Sequence, residues 1–184
     1  YVTKNLSALG DAGMILTKAG DLDKKLRAMR VHGASKKYLH DFLGYNDRLD
    51  ALQAAFLNFK LGYLDAWNMR RHQIAAKYDD GLRGVVVTPY VEPHNETVWH
   101  QYTIRTQKRD ALQVYLKEKG VETAVHYPMP LHLQPAFQYL GYKKGDFPEA
   151  EKAAEEVLSL PIQQDLTDEE VTYVIDAIRE FFNV

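Results

Sequence analysis

The chain has 184 residues, a formal net charge of −2, an ordinary apolar fraction and no cysteine. That length can bury a sizeable core in one large domain or two small ones. Near-balanced charge lacks the signature of a nucleic-acid or anionic-membrane binder, and without thiols neither a disulfide framework nor a thiolate zinc site can form.

Taken in order, the apolar run Met14-Ile15-Leu16-Thr17, bounded by Gly13 and a Thr-Lys-Ala-Gly turn, predicts a short buried strand over residues 13–17. Asp21 is placed to cap a helix running to about Arg30, with Leu22, Leu26 and Met29 on its apolar face. Residues 36–46 read as a polar loop rich in ring side chains: Tyr38, His40, Phe42 and Tyr45. From Asp47 a helical stripe returns at Leu49, Leu52, Phe56 and Phe59, with Gln53 on one flank, and Gly62 interrupts it. Leu64, Trp67 and Ile74, with Arg70, Arg71 and Lys77, suggest a second long helix ending near Gly81.

After Gly84 the period changes. Val85-Val86-Val87 predicts an extended edge, and Trp99 to Arg105 alternates with Tyr102 and Ile104 on one face. Residues 108–119 form a helix that Gly120 stops, and Val121 to Val125 is a further short strand. The stretch from His126 to His132 is too rich in proline for a helix or sheet centre. Two helices close the chain: one from Pro148 to about Leu158, one opened by the capping-box pair Thr167 and Glu170, with Val171, Val174, Ile178 and Phe181 inward. The pattern is α/β: a strand-and-helix piece over 1–60, then an α+β unit over 61–184. The predicted strand near residue 15 has no parallel partners in its own neighbourhood, so the front reads as the end of a larger domain whose earlier strands are not in this sequence. No apolar run reaches spanning length and no basic-then-apolar leader precedes Lys4, so a soluble, cytoplasmic protein without membrane contact is the expectation.

Three stretches carry candidate chemistry. In Lys4-Asn5-Leu6-Ser7-Ala8-Leu9-Gly10-Asp11-Ala12-Gly13 a lone lysine precedes two glycines. A lysine amine attacks carbonyls usefully only where its surroundings tune it or fix its approach. On residue type alone it reads as a solvated side chain on a terminal loop. In Gly44-Tyr45-Asn46-Asp47-Arg48-Leu49, with Gln53-Ala54-Ala55 following, Asn46 or Asp47 reads as a helix N-cap, and Arg48 as a surface partner of Asp47 or Asp50. In His126-Tyr127-Pro128-Met129-Pro130-Leu131-His132 the two histidines lack the carboxylates or third histidine of a metal site and read as buried imidazoles.

Together these stretches resemble the sugar aminotransferases of the DegT/DnrJ/EryC1/StrS family, in the same order along the chain. Ser7 and Ala12 replace glycines of the family's lysine segment, a departure that moves no functional group. Trp99-His100-Gln101-Tyr102 and Leu158-Ser159-Leu160-Pro161 also match and read as scaffold.

The resemblance implies the C-terminal part of a type I, aspartate-aminotransferase-like fold: the end of the large domain plus a small C-terminal domain. It implies that Lys4 binds pyridoxal 5′-phosphate covalently and carries protons in the transfer of an amino group. The donor would be an amino acid such as glutamate, and the acceptor a nucleotide-linked keto-deoxysugar. It implies that Asn46 contacts the cofactor phosphate of a neighbouring subunit, so that a homodimer shares its active sites. His126 and Tyr127, with Tyr38 as a further candidate, would bind the sugar. A histidine in place of the lysine marks the family's dehydratase branch, against which Lys4 argues. The family's upstream aspartate, aromatic ring and phosphate-binding serine have no counterpart here, which implies a missing N-terminal half of the large domain. The competing reading is a non-catalytic dimerisation or regulatory piece of the same family.

Overall fold

The computed structural model describes residues 3–184 and divides into two compact units, one reaching to Leu64 and one spanning Asp65–Val184. The chain is mixed α/β, as its sequence pattern predicts.

The first unit contains α1 (Gly20–Met29), a hairpin of β1 (Ala34–Lys36) and β2 (Leu39–His40), and α2 (Ala51–Leu61). Among its described residues only Ser7, Ala8 and Gly33 are buried. The predicted strand over 13–17 does not form: Met14, Ile15 and Leu16 are extended in solvent, Leu16 being 85% exposed. A strand is held by neighbours on its edges and by a covered face, and these residues have neither within the unit. The predicted α2 stripe is likewise exposed at Leu52 and Phe59. The half-buried face is instead Gln53, Phe56, Leu57 and Lys60, a regular helical stripe turned by part of a turn from the apolar one. Asp21 falls inside the first turn of α1, whose N-cap is Ala19, without a side-chain bond.

Residues 36–46, predicted as loop, contain half of the hairpin. Its register pairs Ala34 with His40 and Lys36 with Leu39. Gly33 has φ +74°, and a Cβ there would lie 1.8 Å from the Phe42 carbonyl oxygen. A Cβ on Gly44 would lie 2.1 Å from the Gly33 nitrogen, so only glycine at both positions lets these two backbones touch.

The second unit has a core. Helix α3 (Leu64–Gly81) supplies Ile74, Ala75 and Tyr78. The antiparallel pair β3 (Tyr102–Arg105) and β4 (Val157–Leu160) supplies Tyr102, Ile104, Leu158 and Leu160, in register Tyr102↔Leu160 to Arg105↔Val157. Helix α4 (Arg109–Glu118) adds Leu112 and Leu116, and α6 (Asp168–Phe182) adds Val171, Val174 and Ile178. The predicted alternation at Tyr102 and Ile104 is observed, both side chains being fully buried. Val85–Val87 and Val121–Val125 contribute one bridge each, Val87↔Arg105 and Ala124↔Ser159, rather than full strands. Helix α5 (Pro148–Glu156) stops two residues earlier than its predicted end, because Val157–Leu160 is wholly buried and pairs with β3. Thr167 and Glu170 close the predicted capping box on α6. No helix among the described residues is long and apolar enough to cross a membrane.

Arg71 is a charged side chain buried in this core, 7% exposed. The Arg71 guanidinium, on the buried face of α3, donates to the carbonyl of Trp99 at 3.1 Å, to that of Ile162, and to Gln164 Oε1 at 3.1 Å. Burial pushes it below the ordinary arginine value, opposed by the nearby charge of Asp165. Two loop carbonyls are thereby satisfied in a place where water does not reach them. Arg71→Met keeps the volume and removes the donors; it is expected to lower the unfolding free energy of this unit by about 3 kcal/mol. Urea denaturation followed by tryptophan fluorescence reads the loss, and an unchanged midpoint refutes it.

Candidate functional site

The loop carrying Lys4 is buried at Ser7 and Ala8 and receives polar bonds from α2. Gln53 Oε1 accepts from the backbone N–H of Leu9 at 2.8 Å. Lys60 Nζ donates to the Ser7 carbonyl at 2.9 Å and to the Ser7 hydroxyl. Gln53 and Lys60 are seven residues apart, two turns along one face of the helix. The Lys60 ammonium also sits 5.4 Å from the centre of the Phe56 ring, which carries it across the apolar part of that face. Lys4 itself is exposed, three residues before the first tie. The Ser7 hydroxyl thus makes a side-chain bond that a glycine at this position could not make.

Asn46 is not a helix cap. Helix α2 begins at Ala51 with Asp50 as its N-cap, and neither Asn46 nor Asp47 reaches its free N–H groups. The Gly-Tyr-Asn turn is zipped instead onto the end of α1. Tyr45 N–H donates to Met29 O at 2.7 Å, His32 N–H to Tyr45 O at 2.8 Å, and Asp47 N–H to Arg30 O at 3.0 Å. Asn46 is bridged to Val31. Arg48 Nε donates to Asn46 Oδ1 at 3.0 Å, and among the described residues it makes no ion pair with Asp47 or Asp50. With its oxygen held, the amide presents its N–H₂ end, beside a guanidinium: a donor set suited to an anion. Tyr38 sits at the hairpin tip with φ +67°, strongly exposed, with Lys37 Nζ 5.1 Å from its ring centre.

In the second unit His126 and Tyr127 are neighbours with rings edge to face, centroids 5.4 Å apart. The half-buried His126 is tied through Nδ1 to the Ser159 hydroxyl at 2.9 Å, and Ser159 is bonded in turn to Thr103 Oγ1 at 2.8 Å. The imidazole is thus held from β4 through one nitrogen, while Tyr127 is 70% exposed. Ser159 could be found in sequence only as the small polar residue between Leu158 and Leu160. Trp99 and Tyr102 are core, as expected: their rings are 5.4 Å apart, and the Tyr102 hydroxyl, pushed up by burial and by Asp79, donates to Asp79 Oδ1 at 2.6 Å.

Comparison with known proteins finds the DegT/DnrJ/EryC1/StrS aminotransferase family model matching residues 1–179. A pleiotropic regulatory protein of Geobacillus stearothermophilus is 51% identical over 99% of this chain and 50% of its own length. A dTDP-3-amino-3,4,6-trideoxy-alpha-D-glucose transaminase of Streptomyces venezuelae is 43% identical over 98% of this chain and 48% of its own. The crystal structure of S. venezuelae DesV in complex with a ketimine intermediate superposes with a TM-score of 0.96 at 42% identity, covering 99% of this chain and 50% of that one. The chain spans about half the length of these relatives.

The far end of the His126–His132 loop is closed by a second tie. His132 Nε2 lies 3.0 Å from Glu151 Oε1 on α5, both side chains nearly buried, with the His132 ring 4.8 Å from that of Phe147. The Gly145 N–H donates to the same carboxylate oxygen at 2.7 Å. That backbone donor is the main reason the Glu151 carboxyl is held below its ordinary value of 4.5; burial opposes it, and His132 and the Phe147 N–H assist. A carboxylate depressed in the folded state stabilises the fold above its ordinary range and loses that contribution as pH falls through the depressed value. Glu151→Gln is expected to flatten the dependence of Tm on pH as pH falls below the ordinary carboxylate range. Calorimetry across that window checks it, and an acid limb as steep as the parent's refutes it.

Proposed function

The chain belongs to the DegT/DnrJ/EryC1/StrS aminotransferase family, and from that premise we propose that it is the C-terminal half of an enzyme transferring an amino group from an amino acid such as glutamate to a nucleotide-linked keto-deoxysugar, with pyridoxal 5′-phosphate as cofactor. The observation that carries this reading is the family's lysine segment, held on α2 by Gln53 and Lys60, in a chain that matches the family from residue 1 to 179.

The donor chemistry of the chain fits the cofactor. A primary amine at Lys4 suits an aldehyde, and the Asn46 amide with Arg48 beside it suits a phosphate dianion. Pyridoxal phosphate supplies, when bound, the electron sink between donor and acceptor. Lys4 Nζ removes the proton from the α-carbon of the amino donor, and in the second half of the cycle delivers a proton to the sugar carbon that receives nitrogen. Asn46 and Arg48 belong to a neighbouring subunit's phosphate site, which makes the working unit a homodimer. His126, oriented through its Ser159 bond, and Tyr127 hold sugar hydroxyls, with Tyr38 as a further contact. The division after Leu64 supports reading residues 1–60 as the end of a cofactor-binding domain and 61–184 as a smaller one. A cytoplasmic location suits the nucleotide-sugar substrate.

The second reading, a regulatory member of the family without turnover, is favoured by the name of the relative that is 51% identical. One experiment separates the two. The full-length protein is incubated with pyridoxal phosphate, reduced with borohydride and mapped by peptide mass spectrometry. An adduct on Lys4, lost in Lys4→Ala together with all transaminase activity, is expected. A folded protein that takes no adduct at Lys4 overturns the enzyme assignment.

A further inference from the structure

We propose that Gln53 and Lys60 are positioning residues for Lys4, and that Ser7 gives this chain a tie to α2 that a glycine there does not supply. The inference rests on the reading of Lys4 as the cofactor lysine. Four observations on separate atoms converge on it. The Leu9 N–H is bonded to Gln53 and the Ser7 carbonyl to Lys60, so the backbone is gripped three and five residues after Lys4. The Ser7 hydroxyl takes a further bond from the same ammonium. Gly10 approaches so near that a Cβ on it would lie 3.1 Å from Gln53 Nε2, which keeps the loop seated on that amide.

Burial supplies the reason these bonds matter. Ser7 and Ala8 are the buried residues of this loop, and the bonds from Gln53 and Lys60 attach at Ser7 and at Leu9 on either side of Ala8. Hydrogen bonds to backbone atoms fix the orientation of a peptide plane as well as its distance. The Lys60 bonds are charge-assisted and half-buried, the setting in which such bonds are strongest. Phe56 beneath the ammonium limits where the Lys60 head can go. None of these side chains reacts; each sets where the Lys4 backbone begins.

The test compares Lys60→Met, Gln53→Leu and Ser7→Gly with the parent in the full-length protein, and uses Lys60→Arg and Gln53→Glu as conservative rescues. Two quantities are read. Hydrogen exchange of the peptide containing Leu9 reports the tie directly, and the concentration of pyridoxal phosphate giving half-maximal borohydride-reduced adduct at Lys4 reports its consequence. Lys60→Met and Gln53→Leu are expected to speed exchange about tenfold and to raise the half-maximal concentration about tenfold. Ser7→Gly, which removes one hydroxyl and keeps the carbonyl bond, is expected to give about threefold on both, and it keeps the test open if a longer replacement unfolds the unit. Unchanged exchange, or faster exchange with unaltered adduct formation, overturns the inference while leaving Lys4 as the cofactor lysine. A parent protein without an adduct at Lys4 removes the reading beneath it instead.

Discussion

A short helix with a polar inner face is the constraint on which the first unit depends. Helix α2 turns Gln53, Phe56, Leu57 and Lys60 inward and leaves Leu52 and Phe59 in solvent. In an ordinary amphipathic helix burial of the apolar stripe fixes the rotation about the axis. Here two polar side chains fix it, through backbone atoms of the loop that carries Lys4.

The second unit is built the other way. Tyr78, Tyr102, Ile104, Leu112, Leu158 and Ile178 are fully buried and close a core between two strands and three helices. Two polar side chains within it are bonded to backbone carbonyls: Tyr78 donates to Pro161 O at 2.8 Å, and Arg71 holds two carbonyls and a glutamine. At the N-terminus of α6 the charge logic is that of the helix dipole. Asp168, its carboxyl held below its ordinary value first by Lys77 and then by Arg70, meets their cations at 2.6 and 2.9 Å in the turn that the Thr167–Glu170 box caps. The loop from His126 to His132 hangs from this rigid body at both ends, by Ser159 on β4 and by Glu151 on α5.

The parts legible in sequence are those where local pattern and tertiary burial agree. Tyr102 and Ile104 alternate and are buried; Val171, Val174 and Ile178 recur at helical spacing and are buried; Thr167 and Glu170 stand three apart and cap. Legibility failed where the burying surface is not local. Met14 to Leu16 has the composition of a strand, and no pairing within its unit makes it one. Leu52 and Phe59 recur with the helical period, and the described residues of their unit leave both exposed. Arg71 looks solvated by type and is buried by the three acceptors around it. Of the site, each motif was visible, but how it is held was not. Asn46 has the chemistry of a cap and is placed by backbone pairing with the end of α1, a contact across fifteen residues that no local spacing encodes.

What the two ties on the Lys4 loop can fix follows from where they attach. They act on the backbone at Ser7 and Leu9, so they set the origin and direction from which the lysine side chain departs. Four further torsions separate that origin from the amine, and restricting them costs about 2 kcal/mol of rotamer entropy. Ties at Ser7 and Leu9 therefore act on the backbone share of the ordering cost of this segment, and the side-chain share is separate from them.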